Sequence, residues 1–303
     1  MAETRVQREK SEPVRGRRSE TGAQAGARVP SKARATGKAG TKGKAGAKPK
    51  PRKRRRAPGW VPDQHGAWFM VTVPAITGVI LAPSWTAIPL LLTWWLGYFS
   101  FFAGSVWIRS RFRERNRPPV LVYGSLAAAA GLTTLLFDWQ LLIWVPAFAP
   151  LVAVAVYEAW KRRPRSLLSG VSTVIAACLI LPVAAWAGDG LDGRAWAAFA
   201  VYLAFFAGTV PYVKTLIRER GSKPWFIGSV AYHVIVLIAA IAAVRITDGD
   251  PFHPLAILAA VVLLARATLM PITGARREKP WTPKTVGHLD AAITVLVVIV
   301  VQL

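Results

Sequence analysis

From residue 66 to the end, the chain alternates apolar runs of about twenty residues with short connections that hold most of the charge. The runs fall at about 66–82, 85–106, 119–137, 139–158, 167–187, 194–213, 225–245, 254–272 and 286–303. Each is near the ~20 residues that a helix needs to cross ~30 Å of hydrocarbon. The pattern predicts an all-α polytopic membrane bundle of about nine transmembrane helices. Several runs contain proline, namely Pro74, Pro146, Pro150, Pro182 and Pro211. A membrane bundle tolerates these because neighbouring helices re-satisfy the freed carbonyls.

Composition supports this reading. The 303 residues are 53% hydrophobic and include thirteen tryptophans. The formal net charge of +24 would suggest a nucleic-acid binder if it were spread over a soluble domain. Its distribution argues otherwise, because +15 of it lies in residues 1–59. That segment has no aromatic residue before Trp60 and cannot bury enough apolar surface to offset its chain entropy. It is expected to be a disordered basic tail, with residues 60–303 forming the membrane domain. Its densest stretch, PKPRKRRR, has the charge to bind anionic lipid headgroups or, loosely, nucleic acid; the bland alternative is a solvated tail that enforces orientation. The first sixty residues contain no apolar signal-peptide core, so the first span is expected to direct insertion. The single cysteine, Cys178, lies inside an apolar run and reads as a packed apolar residue.

Loop charge predicts the orientation. The connections after spans two, four, six and eight hold 5, 4, 4 and 4 Lys/Arg, whereas the others hold only Arg194 and Arg245. The positive-inside rule then puts the tail and the basic loops in the cytoplasm and Leu303 outside, in a bacterial plasma membrane.

Two segments resemble each other. Tyr98, Phe101, Phe102, Ala103, Gly104 and Val106 match Tyr202, Phe205, Phe206, Ala207, Gly208 and Val210. One inserted residue later, Arg109, Arg113, Glu114 and Arg115 stand opposite Lys214, Arg218, Glu219 and Arg220. Chance similarity of apolar runs is the competing explanation. A four-helix unit used twice, at about 60–160 and 165–272, with a final helix at 286–303, accounts for the match as a parallel repeat. Gly104 and Gly208 read as points of close helix contact or of loosening.

Ionisable groups at membrane depth are costly and are therefore candidate functional residues. They are Glu158, His233, Arg266 and Asp290, joined at helix ends by His65, Arg109, Arg113, Lys214 and Arg218. All are expected in one polar chamber of the cytoplasmic half. His65, Glu158 and His233 would supply acid–base chemistry. Arg109, Arg113, Lys214, Arg218, Arg266 and Asp290 would contact a ligand. Each has a plainer reading. Glu158 is spaced to pair with Arg162, and His233 to be a neutral histidine bonded to nearby backbone. Arg266 could snorkel to the interface, and Asp290 could cap its helix or pair with Arg266. Trp60, Trp68, Trp160 and Trp225 read as interfacial belt residues, and His253 as a solvated loop residue. There is no Gly-rich phosphate loop, GxSxG elbow or HExxH pair, and no metal or cofactor is called for.

The segment with Pro62, Gln64, His65, Gly66, Ala67 and Trp68 resembles the opening of the YwiC-like family of bacterial membrane proteins. The segment EAWKRRPRSLLSG at 158–170 is similar to that family too. The resemblance covers about 60–303 and implies a multi-pass membrane protein, without supplying an activity. In layout the chain also resembles, more distantly, the UbiA-type intramembrane prenyltransferases, which have nine helices in two four-helix units. Their Asp-rich loops after helices two and six hold Mg²⁺ and a prenyl diphosphate. Here those loops are basic, with only Glu114 and Glu219 acidic. Basic loops bind phosphate directly by charge-assisted hydrogen bonds but do not assemble an oxygen cage for Mg²⁺. Three functions remain open. One is an intramembrane site for an anionic, phosphate-bearing lipid or isoprenoid, one a proton-coupled secondary transporter, and one a non-catalytic scaffold.

Overall fold

A computed structural model describes residues 59–62, 65–163, 166–248, 253–277 and 281–303, with His65 described by its backbone alone. The expectations for the N-terminal tail lie outside the described residues. The described chain is all-helical, with nine α-helices: α1 His65–Leu81, α2 Ala87–Arg109, α3 Arg117–Phe137, α4 Val145–Trp160, α5 Leu167–Trp186, α6 Gly193–Ile217, α7 Lys223–Ile246, α8 Leu255–Ala275 and α9 Pro283–Gln302. Two 3₁₀ turns, Glu114–Asn116 and Trp139–Trp144, precede α3 and α4. Eight helices, α2 to α9 (α3 and α4 counted with their 3₁₀ turns), are long and apolar enough to cross a membrane. The apolar part of α1, Gly66–Leu81, is shorter.

Local chemistry sets the helix starts. The Ser166 hydroxyl accepts from the Ser169 amide at 3.0 Å, the Asp192 carboxylate from Ala195 at 2.9 Å, and the Thr282 hydroxyl from Thr285 at 3.2 Å. Each satisfies one orphan donor of a first turn. Proline occupies the first positions of α3, α4, α7 and α9, where its missing N–H costs nothing.

Packing divides the helices by their solvent. The most buried is α5, whose eleven buried residues include Cys178, Leu181 and Ala185. It packs against α1, α4 and α6. α1 crosses it closely at Gly78, where a Cβ would stand 2.5 Å from the Leu181 carbonyl oxygen and 2.8 Å from the Ala184 methyl. α3 and α7, by contrast, bury two residues each and expose Leu132, Leu136, Ile235 and Ile238. Such faces fit acyl chains, with every backbone group satisfied inside its own helix. Further contacts run α2 to α3 and α4, α6 to α7 and α8, α7 to α8, and α9 to α1, α6 and α8.

Candidate functional site

Among the described residues, a buried polar cluster is built by α6, α8 and α9, with His233 of α7 beside it. α8 carries Arg266, which is only 5% exposed. Its Nη1 donates to Oδ1 of Asp290, one helix on in α9. The guanidinium lies over the Tyr212 ring of α6, 4.1 Å from its centroid, with the Phe205 ring 5.8 Å away. A planar, delocalised cation suits that stacking, which an ammonium would not match. The Tyr212 hydroxyl donates to Sδ of Met270, and the Thr294 hydroxyl to the Asp290 carbonyl. The pair leaves Nε and Nη2 of Arg266 buried without a partner.

His233 of α7 packs against Gly208 of α6, one turn before Tyr212, whose ring carries Arg266. His233 is 1% exposed. Its Nδ1 stands 2.7 Å from the Ser229 carbonyl. A carbonyl only accepts, so Nδ1 carries a proton; in a neutral ring Nε2 is then a bare lone pair. That Nε2, like the Ser229 hydroxyl, is buried and unpartnered. Gly208 makes room for it. A Cβ there would meet His233 Nε2 and Tyr232 Cε1, each at 2.9 Å. Gly104, its partner in the sequence match, meets nothing within 4 Å of the same position. Close contact is therefore the role of one glycine and not the other.

Of the candidates from the sequence, Arg266 and Asp290 pair directly, and His233 packs on α6 one turn from the Tyr212 ring that Arg266 covers. Arg266 does not snorkel; it is held inside by Asp290. The others are placed elsewhere. Glu158 is buried near the end of α4, and its Oε1 accepts from Arg163 Nη2 at 3.2 Å, not from Arg162. The reason is local. The helix stops at Trp160, Arg162 turns left-handed at φ 57°, and the Arg163 amide bonds back to the Glu158 carbonyl. That turn carries Arg163 over the carboxylate. Oε2 of Glu158 is left without a partner. Arg109 Nε donates to the Ser105 carbonyl. Lys214 Nζ sits 4.2 Å from the centroid of the Trp225 ring, so this belt tryptophan also holds a cation. Arg113 and Arg218 are exposed beside their helix ends. The side chain of His65 lies outside the described residues. His253, expected to be solvated, accepts from the Leu255 amide at the start of α8.

Sequence reasoning missed Tyr212, Ser229 and Phe205. The Ser229–His233 spacing of one helical turn was a usable signal, whereas the stacking partners of Arg266 were not. Among the described residues, no three His, Cys, Asp or Glu side chains gather as metal ligands. What the cluster offers is an arginine edge with unused donors, a hydroxyl and an imidazole nitrogen, all buried.

The YwiC-like protein family model matches residues 61–185, which run from the entry of α1 through nearly all of α5. The chain is 31% identical to the protein YwiC of Bacillus subtilis over 179 residues, covering 58% of this chain and 74% of the relative. The chain belongs to the YwiC-like family. An uncharacterized protein of Haemophilus influenzae is 28% identical over 240 residues, which is 77% of this chain and 93% of that protein. Its match is long enough to require part of the α6–α9 region as well. No solved structure matches the chain. Family membership and eight long apolar helices make this a multi-pass membrane protein with bacterial relatives.

Proposed function

We propose that the protein binds an anionic, phosphate-bearing lipid or isoprenoid within the membrane, with Arg266 as the group that recognises the phosphate. One observation carries this reading. A buried arginine with two unpartnered donor nitrogens is expensive at membrane depth unless something accepts from them. A phosphate oxygen is a matched acceptor for that guanidinium edge. The Ser229 hydroxyl and His233 complete the reach of the site. Arg109, Arg113, Lys214 and Arg218 would draw the headgroup from the cytoplasmic side, with the tail and basic loops inside and Leu303 outside. All nine helices then span the membrane, the short α1 included.

The repeat reading is supported by the helix neighbours. Contacts α1–α2, α2–α3, α2–α4, α2–α5 and α4–α5 recur, shifted by four, as α5–α6, α6–α7, α6–α8, α6–α9 and α8–α9. The correspondence is partial, because α1 packs against α5 in the first unit whereas α9 packs against α1. Setting Gly124-Ser125 against Gly228-Ser229 puts Ala129 opposite His233. The first unit therefore lacks the histidine, and the site is proposed to occur once per chain.

The test is mass spectrometry of lipid retained after stringent delipidation. Wild type is expected to retain a phosphate-bearing lipid. Arg266→Leu with Asp290→Leu, which removes the charge without leaving half a pair, is expected to lose it. Equal retention by that double variant sinks the reading. Proton-driven uptake of a soluble anion into vesicles, lost in the same variant, would replace it with a transporter.

A further inference from the structure

We propose that anion binding at Arg266 is coupled to uptake of one proton, taken by Nε2 of His233. The inference rests on the Arg266 site proposed above and adds how its charge is balanced.

Before binding, the cluster is neutral: Arg266 is cationic, Asp290 anionic and His233 uncharged. His233 Nε2 packs on Gly208 of α6; one turn further on that helix Tyr212 carries Arg266 of α8, which is paired to Asp290 of α9. The Ser229 hydroxyl and the Tyr232 ring lie beside His233 on α7 itself. Lys214, the next cation on α6, is stacked on Trp225, about 12 Å along α7 from His233 at 1.5 Å per residue. Among the described residues, Asp290 is the carboxylate that pairs with Arg266.

A bound phosphodiester adds one negative charge to this neutral, buried cluster. An uncompensated buried charge is costly, and such sites change protonation instead. Two groups have the capacity to accept a proton. Protonating Asp290 would cancel the charge that pairs with Arg266, leaving only a neutral oxygen as its acceptor. His233 gives up nothing, because its Nδ1–H donates to the Ser229 carbonyl in both forms. Protonation also removes a conflict. A bare Nε2 lone pair repels a phosphate oxygen, whereas Nε2–H donates to it. The proton comes from water, moves to Nε2 and leaves with the anion.

The test uses the full chain in non-ionic detergent with short-chain phosphatidylglycerol, a monoanion without a group that titrates near neutrality. Calorimetry in buffers of different ionisation enthalpy counts the protons bound. The expectation is uptake of about one proton per anion, with affinity falling roughly tenfold per pH unit above the range where the free histidine is already protonated. His233→Gln is expected to abolish both the uptake and the slope. Asp290→Asn, which leaves the site with a net positive charge beforehand, is expected to flatten the slope and to bind more tightly at high pH. The wild-type titration decides the matter even if a variant does not fold. Binding that needs Arg266 but is flat with pH, with no proton taken up, overturns the coupling and leaves the site standing. No Arg266-dependent binding at any pH overturns both. Glycerophosphoglycerol, the headgroup without chains, separates the sources. Weaker binding with the same slope supports a lipid ligand, and equal affinity reassigns the site to a soluble phosphodiester while keeping the coupling.

Discussion

Arg266 and Asp290 make each other tolerable inside a bilayer. Either alone would be an uncompensated buried ion, and removing one partner of such a pair costs about 3–5 kcal/mol. Replacing both by apolar residues of similar volume is often neutral. Arg266→Leu alone is therefore expected to lower the melting temperature in detergent sharply, and Arg266→Leu with Asp290→Leu to restore most of it. A double variant as unstable as the single one would mean that the arginine is held by its stacking on Tyr212 more than by its charge. Sequence reasoning foresaw this pair among its alternatives, because both residues stand alone in apolar runs on consecutive helices. It missed the link from Glu158 to Arg163, since a helix rule was extended past the point where the helix turns.

At the scale of helices, the site lies beneath two further layers. On α8, Arg266, Met270 and Gly274 follow one another by one turn, about 6 Å per step. On α9, Asp290 and Val286 run the same way toward Trp281. Tyr212, Leu216 and Val286 pack with Met270 and Trp281 just beyond the charged layer. The outermost layer is a clasp. The Trp281 indole donates to the Met270 carbonyl, Arg277 stacks on the Trp281 ring at 4.2 Å, and Arg220 Nη2 donates to the Gly274 carbonyl at 2.6 Å. Removing the indole opens that end of the bundle. Trp281→Ala is expected to speed thiol labelling of a cysteine placed at Met270 by about tenfold or more, a ~1.4 kcal/mol shift toward open forms. Unchanged labelling would show that Trp281 does not close this end. The ends of α8 and α9 were legible from hydropathy. The clasp was not, because it depends on a tryptophan folding back over another helix.

For the whole molecule, the remaining question is topology. Nine spans with basic loops inside would put the two termini on opposite faces. A fluorescent protein fused before Met1 is expected to be bright, and alkaline phosphatase fused after Leu303 active. Both reporters on one face would leave eight spans, with α1 as the helix that does not cross. α1 is the short one, yet it is also held among α2, α5, α6 and α9. It buries Val71 and Ala75 to 2% and 0% on one face and exposes Phe69 and Ile80.

The sequence by itself determined that this chain is a helical membrane protein, and placed its helices within a few residues. Lipid demands long apolar runs with internally satisfied backbones, and such runs are visible one residue at a time. It also marked Arg266, Asp290 and His233, because charge in hydrocarbon is conspicuous without any fold. Only the tertiary structure decided that Arg266 pairs with Asp290, that His233 packs against Gly208 on the helix that carries Tyr212, that Glu158 and Lys214 have other partners, and that Gly208 but not Gly104 touches a neighbouring helix. Those outcomes depend on which faces of α6, α7, α8 and α9 are turned together. In apolar helices that rotation is set by side-chain packing between helices, which a pattern of polar and apolar positions does not encode.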